Sequence, residues 1–195
     1  APGLFTPKLT EAAVARAIAD VNSTNWAKTA ITSVVKYGIM QGEGNKFSPS
    51  RPITRAELAV TLMNTIQMPE DLPEAKPFTD AASIPAWAKA KIDRAASLGL
   101  ITGYSSGSFK PNQIISRGEL AVVCLRYLTL IGQPLELKVT DLTPKDEVPT
   151  WAAKSVKALI AAGILHGYTD GTFQYQKSST RAETATLVTN MLPPK

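Results

Sequence analysis

The arginines Arg55, Arg117 and Arg181 each stand inside one recurring phrase, read as ITRAE at 53–57, ISRGE at 115–119 and STRAE at 179–183. A hydroxyl residue precedes each arginine, and a glutamate follows two positions later. That S/T-x-x-E spacing is a capping box, in which the hydroxyl accepts from one orphan amide and the glutamate reaches back to another. It assigns Thr54, Glu57, Ser116, Glu119, Thr180 and Glu183 to structure and puts every arginine at a first helical position. An acidic side chain would suit the helix dipole better there. A cation at the same register in three copies therefore points to an anion nearby. Free amides at a helix start, together with a guanidinium fork, form a carboxylate receptor. On this reading the arginines face solvent, and Arg117→Ala weakens binding with little change in melting temperature.

Other chemistry is thin. The glutamates are accounted for as caps, and there is no nucleophile elbow, His/Cys cluster or metal-ligand spacing, so neither an enzyme, a metal nor a cofactor is expected. His166 is the only histidine and has Gln41 and Thr102 at its matching positions. Cys124 is alone, excludes an intrachain disulfide and reads as a small core residue. Trp26, Trp87 and Trp151 suit the C–H face of a pyranose and equally suit a core anchor. Gly42, Gly103 and Gly167 favour tight backbone geometry or close approach of a ligand, and Tyr104 and Tyr168 follow the last two.

These residues need elements to hold them. The tryptophans open WAKTAITSVVKYG, WAKAKIDRAASLG and WAAKSVKALIAAG, whose apolar spacing predicts a helix ended by Gly38, Gly99 or Gly163 in the left-handed conformation. A short apolar pair and a turn follow, clearest in GYTDGTF at 167–173, then Phe47, Phe109 or Phe173, then the pentad helix. Asp20, Asp80 and Asp141 precede the tryptophans at variable spacing. Ile53 with Leu58, and Ile115 with Leu120, fit a hydrophobic staple across the cap. Ser179 and Thr184 replace both partners in the third copy. Beyond the cap, Ala59, Leu62, Met63 and Ile66 share a face, matched by Ala121, Cys124, Leu125 and Leu128 and by Ala185, Val188, Thr189 and Leu192. A unit of about sixty residues buries little surface alone, so the copies are expected to share one core.

The net charge of +5 favours anionic partners: nucleic acid, acidic polysaccharide or headgroups. Basic residues are scattered among acids rather than gathered in a stripe, which argues against nucleic acid. No run of eighteen apolar residues could span a bilayer. No signal peptide is evident, and Ala1-Pro2-Gly3 would suit a processed start.

Tryptophan, paired glycines, a GYxDGTF-like loop and a TRAE pentad, three times over, resemble the S-layer homology (SLH) family across roughly residues 20–192. The resemblance implies an all-α, pseudo-threefold, trimer-like domain of three helix-loop-helix repeats around a central three-helix bundle. Its organisation would be a lead-in helix at 1–19, repeats at 20–68, 76–131 and 138–192 forming one domain, and a linker start at 193–195. It implies non-covalent anchoring of a bacterial surface protein, extracellular and at the cell wall. The ligand would be pyruvylated N-acetylmannosamine of an anionic secondary cell-wall polymer, held in grooves between repeats, with peptidoglycan a second candidate partner. Carried to this sequence, the site residues are Arg55, Arg117, Arg181, Trp26, Trp87, Trp151, Gly42, Gly103, Gly167, Tyr104 and Tyr168. A monomer in isolation is expected. The alternatives are a protein-interaction scaffold and an accessory domain of a peptidoglycan-directed enzyme. Three departures stand out: the shorter loop GEGNKF, Gly118 in place of alanine, and Tyr175 in place of Pro49 and Pro111. Glu43 in that short loop would repel an anion, making the groove beside it the weakest.

Overall fold

The computed structural model describes residues 6–67, 71–135 and 143–192. Ala1-Pro2-Gly3, Asp141, the repeat boundaries at 68 and 138, and the segment 193–195 lie outside the described residues. The described residues form seven α-helices and one 3₁₀ turn, with only isolated bridges and no strand. The helices are α1 (Glu11–Ala17), α2 (Lys28–Lys36), α3 (Arg55–Met63), α4 (Ala86–Ser97), α5 (Arg117–Leu130), α6 (Thr150–Ala161) and α7 (Arg181–Met191).

The leading helices α2, α4 and α6 stop as their glycines require. Gly38, Gly99 and Gly163 have φ of 68°, 70° and 67°. In the first copy Gly38 N–H donates to Val35 O and Ile39 N–H to Val34 O, the paired bonds of a Schellman ending, and the other two copies repeat them. The pentad helices α3, α5 and α7 start as their spacing requires, each with both halves of a capping box.

What the repeats do to one another is less local. Ile53 N–H donates to Ser179 O, Ser179 N–H to Ile115 O, and Ile115 N–H to Ile53 O, so the residues ahead of the three caps are linked in a closed cycle. The most extensive helix contacts run from each pentad helix to the leading helix of the next repeat: α3 with α4, α5 with α6, and α7 with α2. A buried hydrogen bond of 2.7 Å between Thr65 Oγ1 and Tyr127 OH adds a direct link from the end of α3 to α5.

One apolar cluster runs from Val14 to Met191 and takes in Leu62, Cys124 and Val188. Phe47, Phe109 and Phe173 are fully buried in it. Both staple pairs are buried; in the third copy Ser179 and Thr184 are buried in their stead. Thr184 Oγ1 donates to Thr180 O, but Ser179 Oγ is left without a partner.

Candidate functional site

The site is assembled at the junctions between repeats. Arg55, Arg117 and Arg181 are only 9%, 5% and 5% exposed, so the solvent-facing position expected for them does not hold. Each crosses to the next repeat. Arg55 Nε donates to Phe109 O at 2.8 Å, Arg117 Nε to Phe173 O at 3.0 Å and Arg181 Nε to Phe47 O at 2.8 Å. Arg117 Nη2 and Arg181 Nη2 add bonds of 2.6 Å to His166 O and Gln41 O. Each guanidinium also lies over the buried phenylalanine ring it reaches, at 4.6–5.1 Å.

The helix-start amides are likewise spent. Arg55 N–H and Ala56 N–H donate to Gln113 O and Pro111 O, Arg117 N–H and Gly118 N–H to Lys177 O and Tyr175 O, and Arg181 N–H and Ala182 N–H to Arg51 O and Pro49 O. The third amide goes to the cap hydroxyl. The free-amide carboxylate receptor is therefore absent, because the neighbouring repeat supplies carbonyls where an anion was expected. The glutamates exceed their capping role at two junctions. Glu119 Oε1 lies 3.4 Å from Arg55 Nη1 and accepts from Tyr104 OH at 2.5 Å. Glu57 lies 3.4 Å from Arg181 and 2.5 Å from Arg51. Burial pushes the Glu57 carboxyl up, but the hydrogen bond from Arg51, the Thr54 amide and the two positive charges outweigh it and hold the pKa below its ordinary value.

A second set of aspartates fixes the loop that each arginine meets. Both oxygens of Asp20 accept from Phe47 and Ser48 amides, and Asp80 does the same for Phe109 and Lys110. In the third copy this residue is Asp146, which accepts from Phe173 and Gln174, and not Asp141. The residue after each phenylalanine, Ser48, Lys110 or Gln174, has φ near +56° in every copy (57°, 56° and 55°), a conformation held by that clamp. Burial raises the Asp80 and Asp146 carboxyls, and the paired amides more than offset it, leaving both below the ordinary range.

The tryptophans are not core anchors. Trp26, Trp87 and Trp151 are 68%, 59% and 54% exposed at the starts of the leading helices. Two of them wall grooves. A groove of about 370 Å³ brings Arg55, Gly103, Tyr104 and Glu119 together with Trp151, so repeats 1, 2 and 3 all contribute. A second, of about 260 Å³, joins Arg181, Glu57, Gln41 and Trp87. Glu43 is outside the lining of that groove; it is exposed, and only its backbone pairs with Lys46. The expectation of repulsion from Glu43 thus loses its geometry. At the remaining junction Arg117 lies 4.9 Å from the Tyr168 ring centroid.

The glycines serve backbone approach. A Cβ at Gly42 would come within 2.4 Å of Lys46 O, at Gly103 within 2.8 Å of Ser108 O, and at Gly167 within 2.9 Å of Thr172 O. The two departures Gly118 and Tyr175 belong together: a Cβ at Gly118 would meet Trp151 at 2.9 Å and Tyr175 Cβ at 3.4 Å. Tyr175 meets the Trp151 indole edge-on, with centroids 6.3 Å apart. Residues that sequence reasoning missed at the grooves are Lys91, Asn64 and Arg126.

Among the described residues no group of His, Cys, Asp or Glu could hold a metal ion, and no helix is long and apolar enough to cross a membrane.

Residues 17–59, 77–121 and 145–185 match the family described as S-layer homology domain. The chain is 38% identical over 154 residues to Cell surface glycoprotein 1 of Acetivibrio thermocellus, an overlap covering 75% of this chain and 7% of that protein. It is 28% identical over 176 residues to an endoglucanase of a Bacillus species, covering 89% of this chain and 18% of the enzyme. It is 32% identical over 152 residues to a cellulosome-anchoring protein of Acetivibrio thermocellus, covering 76% and 34%. The chain thus spans at most about a third of the length of these relatives.

Proposed function

Since the chain belongs to the S-layer homology family, we propose that it is a non-catalytic module that fastens a bacterial surface protein to the cell wall from outside the cell. Its ligand is an anionic secondary cell-wall polymer, gripped through pyruvylated N-acetylmannosamine units in the grooves between repeats. The observation that carries this reading is the exposure of Trp87 and Trp151 as walls of grooves that also contain a buried arginine. An indole left in water costs hydrophobic burial, and a sugar ring laid on it recovers that contact. In this reading Trp26, Trp87 and Trp151 are the platforms, Tyr104 and Tyr168 bound the pockets, and the arginines and loop glycines keep the walls in place. The names of relatives support the wall-anchoring role: one is a cell surface glycoprotein and another a cellulosome-anchoring protein. An endoglucanase among them agrees with a module that tethers enzymes rather than performs their chemistry.

Several grooves on one rigid body facing a repeating polymer raise avidity well above a single contact. The test is sedimentation of the protein with purified wall polymer before and after removal of the pyruvate ketals. Intact polymer should retain the protein, less so as salt rises, and stripped polymer should release most of it. Equal retention by both would defeat the acidic-sugar reading.

A further inference from the structure

The two walled grooves share a feature that the pentad does not encode. On α5, Arg126 stands seven residues beyond Glu119, about two helical turns or roughly 10 Å further along the groove that contains Arg55. The matching place on α3 is Asn64, which is neutral, yet its groove also receives a cation there: Lys91, one turn beyond Trp87 on α4, whose Nζ donates to Asn64 Oδ1. Asn64 is itself anchored through Nδ2 to Ile39 O at 2.9 Å. Each groove therefore carries one cation at this depth, supplied by a different helix. At the remaining junction the corresponding residues are Asn190 and Ala30, and neither is charged.

These two cations differ from the pentad arginines in being available. Arg55 and Arg181 are buried, bonded to carbonyl oxygens and faced by Glu119 and Glu57. Neither Lys91 nor Arg126 has a carboxylate partner among the described residues; Arg126 donates to Thr102 Oγ1 at 3.3 Å and is exposed. The Lys91 ammonium is uncompensated enough that burial, and then the charge of Lys8, lower its pKa. An anion entering either groove meets a spent guanidinium at one end and an unneutralised cation about two turns away.

We propose that Lys91 and Arg126, and not the pentad arginines, receive the negative charge of an acidic saccharide in these two grooves, with Trp87 and Trp151 beneath the sugar. This rests on the proposed reading that the grooves bind an anionic wall saccharide. It assigns the charge-recognising residue in each.

The experiment is titration calorimetry with two probes, the methyl glycosides of pyruvylated N-acetylmannosamine and of unmodified N-acetylmannosamine, at low and high salt. The proteins are the unaltered chain, Lys91→Gln, Arg126→Gln, the double variant, and Lys91→Arg as the charge-conserving rescue. Thermal melts confirm that each is folded. Each single variant should weaken one class of acidic-sugar site by about ten-fold, the loss of one charged hydrogen bond. The double variant should weaken both, and Lys91→Arg should restore one. Neutral-sugar binding should not change. A double variant that binds the acidic sugar as the unaltered chain does, with the same salt dependence, overturns the assignment and leaves the wall-anchoring reading standing. An unaltered chain that binds neither probe overturns both.

Discussion

Tyr104 and Tyr168 occupy matching places in the second and third loops, and each ring faces an arginine from the preceding repeat, at 4.5 and 4.9 Å. Their surroundings nonetheless diverge. Tyr104 OH donates to Glu119, accepts from Gln113 Nε2 at 2.9 Å, and stands by a guanidinium that Glu119 neutralises. Tyr168 OH is buried without a partner, and Arg117 has no carboxylate within reach among the described residues. The distinguishing residue is the one three places before the cap hydroxyl residue: Gln113 offers an amide to the Tyr104 hydroxyl, whereas Lys177 in that place lays its ammonium over the Tyr168 ring at 4.3 Å. An ammonium lies over each ring, Lys110 at 4.7 Å from Tyr104 and Lys177 at 4.3 Å from Tyr168, so the same motif differs in its hydroxyl and its arginine–carboxylate contact: bonded and paired at one junction, unpartnered at the other. Identity of the motif residues does not settle the electrostatics; a neighbour outside the motif does.

The comparison can be broken most forcefully at the arginines. Arg55→Ala leaves the half-buried Glu119 without its cation and should cost about 3 kcal/mol of stability. Arg117→Ala loses only carbonyl bonds and ring contacts, and should cost about 2 kcal/mol. Urea denaturation of both variants measures the gap, and an Arg117 variant that melts like the unaltered chain would restore the solvent-facing reading of that side chain. The tyrosines should then move in opposite directions. Tyr104→Phe removes a bond to a carboxylate and should destabilise by about 1.5 kcal/mol, while Tyr168→Phe removes an orphaned hydroxyl and should stabilise by about 1 kcal/mol. Two shifts of the same sign would erase the distinction between the junctions. A smaller change should partner the orphaned hydroxyl: Lys177→Gln offers Tyr168 the amide that Tyr104 already has. A double-mutant cycle with Tyr168→Phe should show a coupling of about 0.5 kcal/mol that the parent pair lacks.

Alkaline titration supplies the mildest test. Burial, and then the hydrogen bond to Glu119, push the Tyr104 phenol up to about 12. A pKa raised in the folded state means that the native protein binds more protons than the unfolded chain between about pH 10 and pH 12. The Tyr104 contribution is therefore complete below pH 10 and is lost as pH climbs toward 12. Stability measured across that window should fall less steeply in Tyr104→Phe than in the parent, and ultraviolet difference spectra should show one late-ionising tyrosine fewer.

Local features were legible in the sequence because their partners are three to five residues apart. The capping boxes follow from Thr54 and Glu57 and their counterparts, and the helix endings follow from Gly38, Gly99 and Gly163. The arginines were misread because their partners are distant: Arg181 reaches Phe47 across 134 positions, and no local rule reveals a carbonyl waiting there. The aspartate clamp was readable with a different ruler. Measured to the phenylalanine, the separations are 27 and 29 residues in the first two copies, and Asp146 at 27 fits them where Asp141 at 32 does not. Lys91 and Arg126 escaped notice for another reason. They line two different grooves from two different kinds of helix, Arg126 from a pentad helix and Lys91 from a leading helix, so no alignment of the copies superposes them.

The cycle that joins Ile53, Ser179 and Ile115 also governs how the chain reaches its fold. Residues 41–57 cannot complete their bonds until Arg181 and its neighbours arrive, and contacts of such long sequence separation must overcome loop-closure entropy before they return any stability. A ribosome-bound chain that ends before the third pentad can form its capped helices but not the cycle. Docking of α7 on α2 is then the step that commits the whole assembly, and its rate should limit refolding after dilution from denaturant.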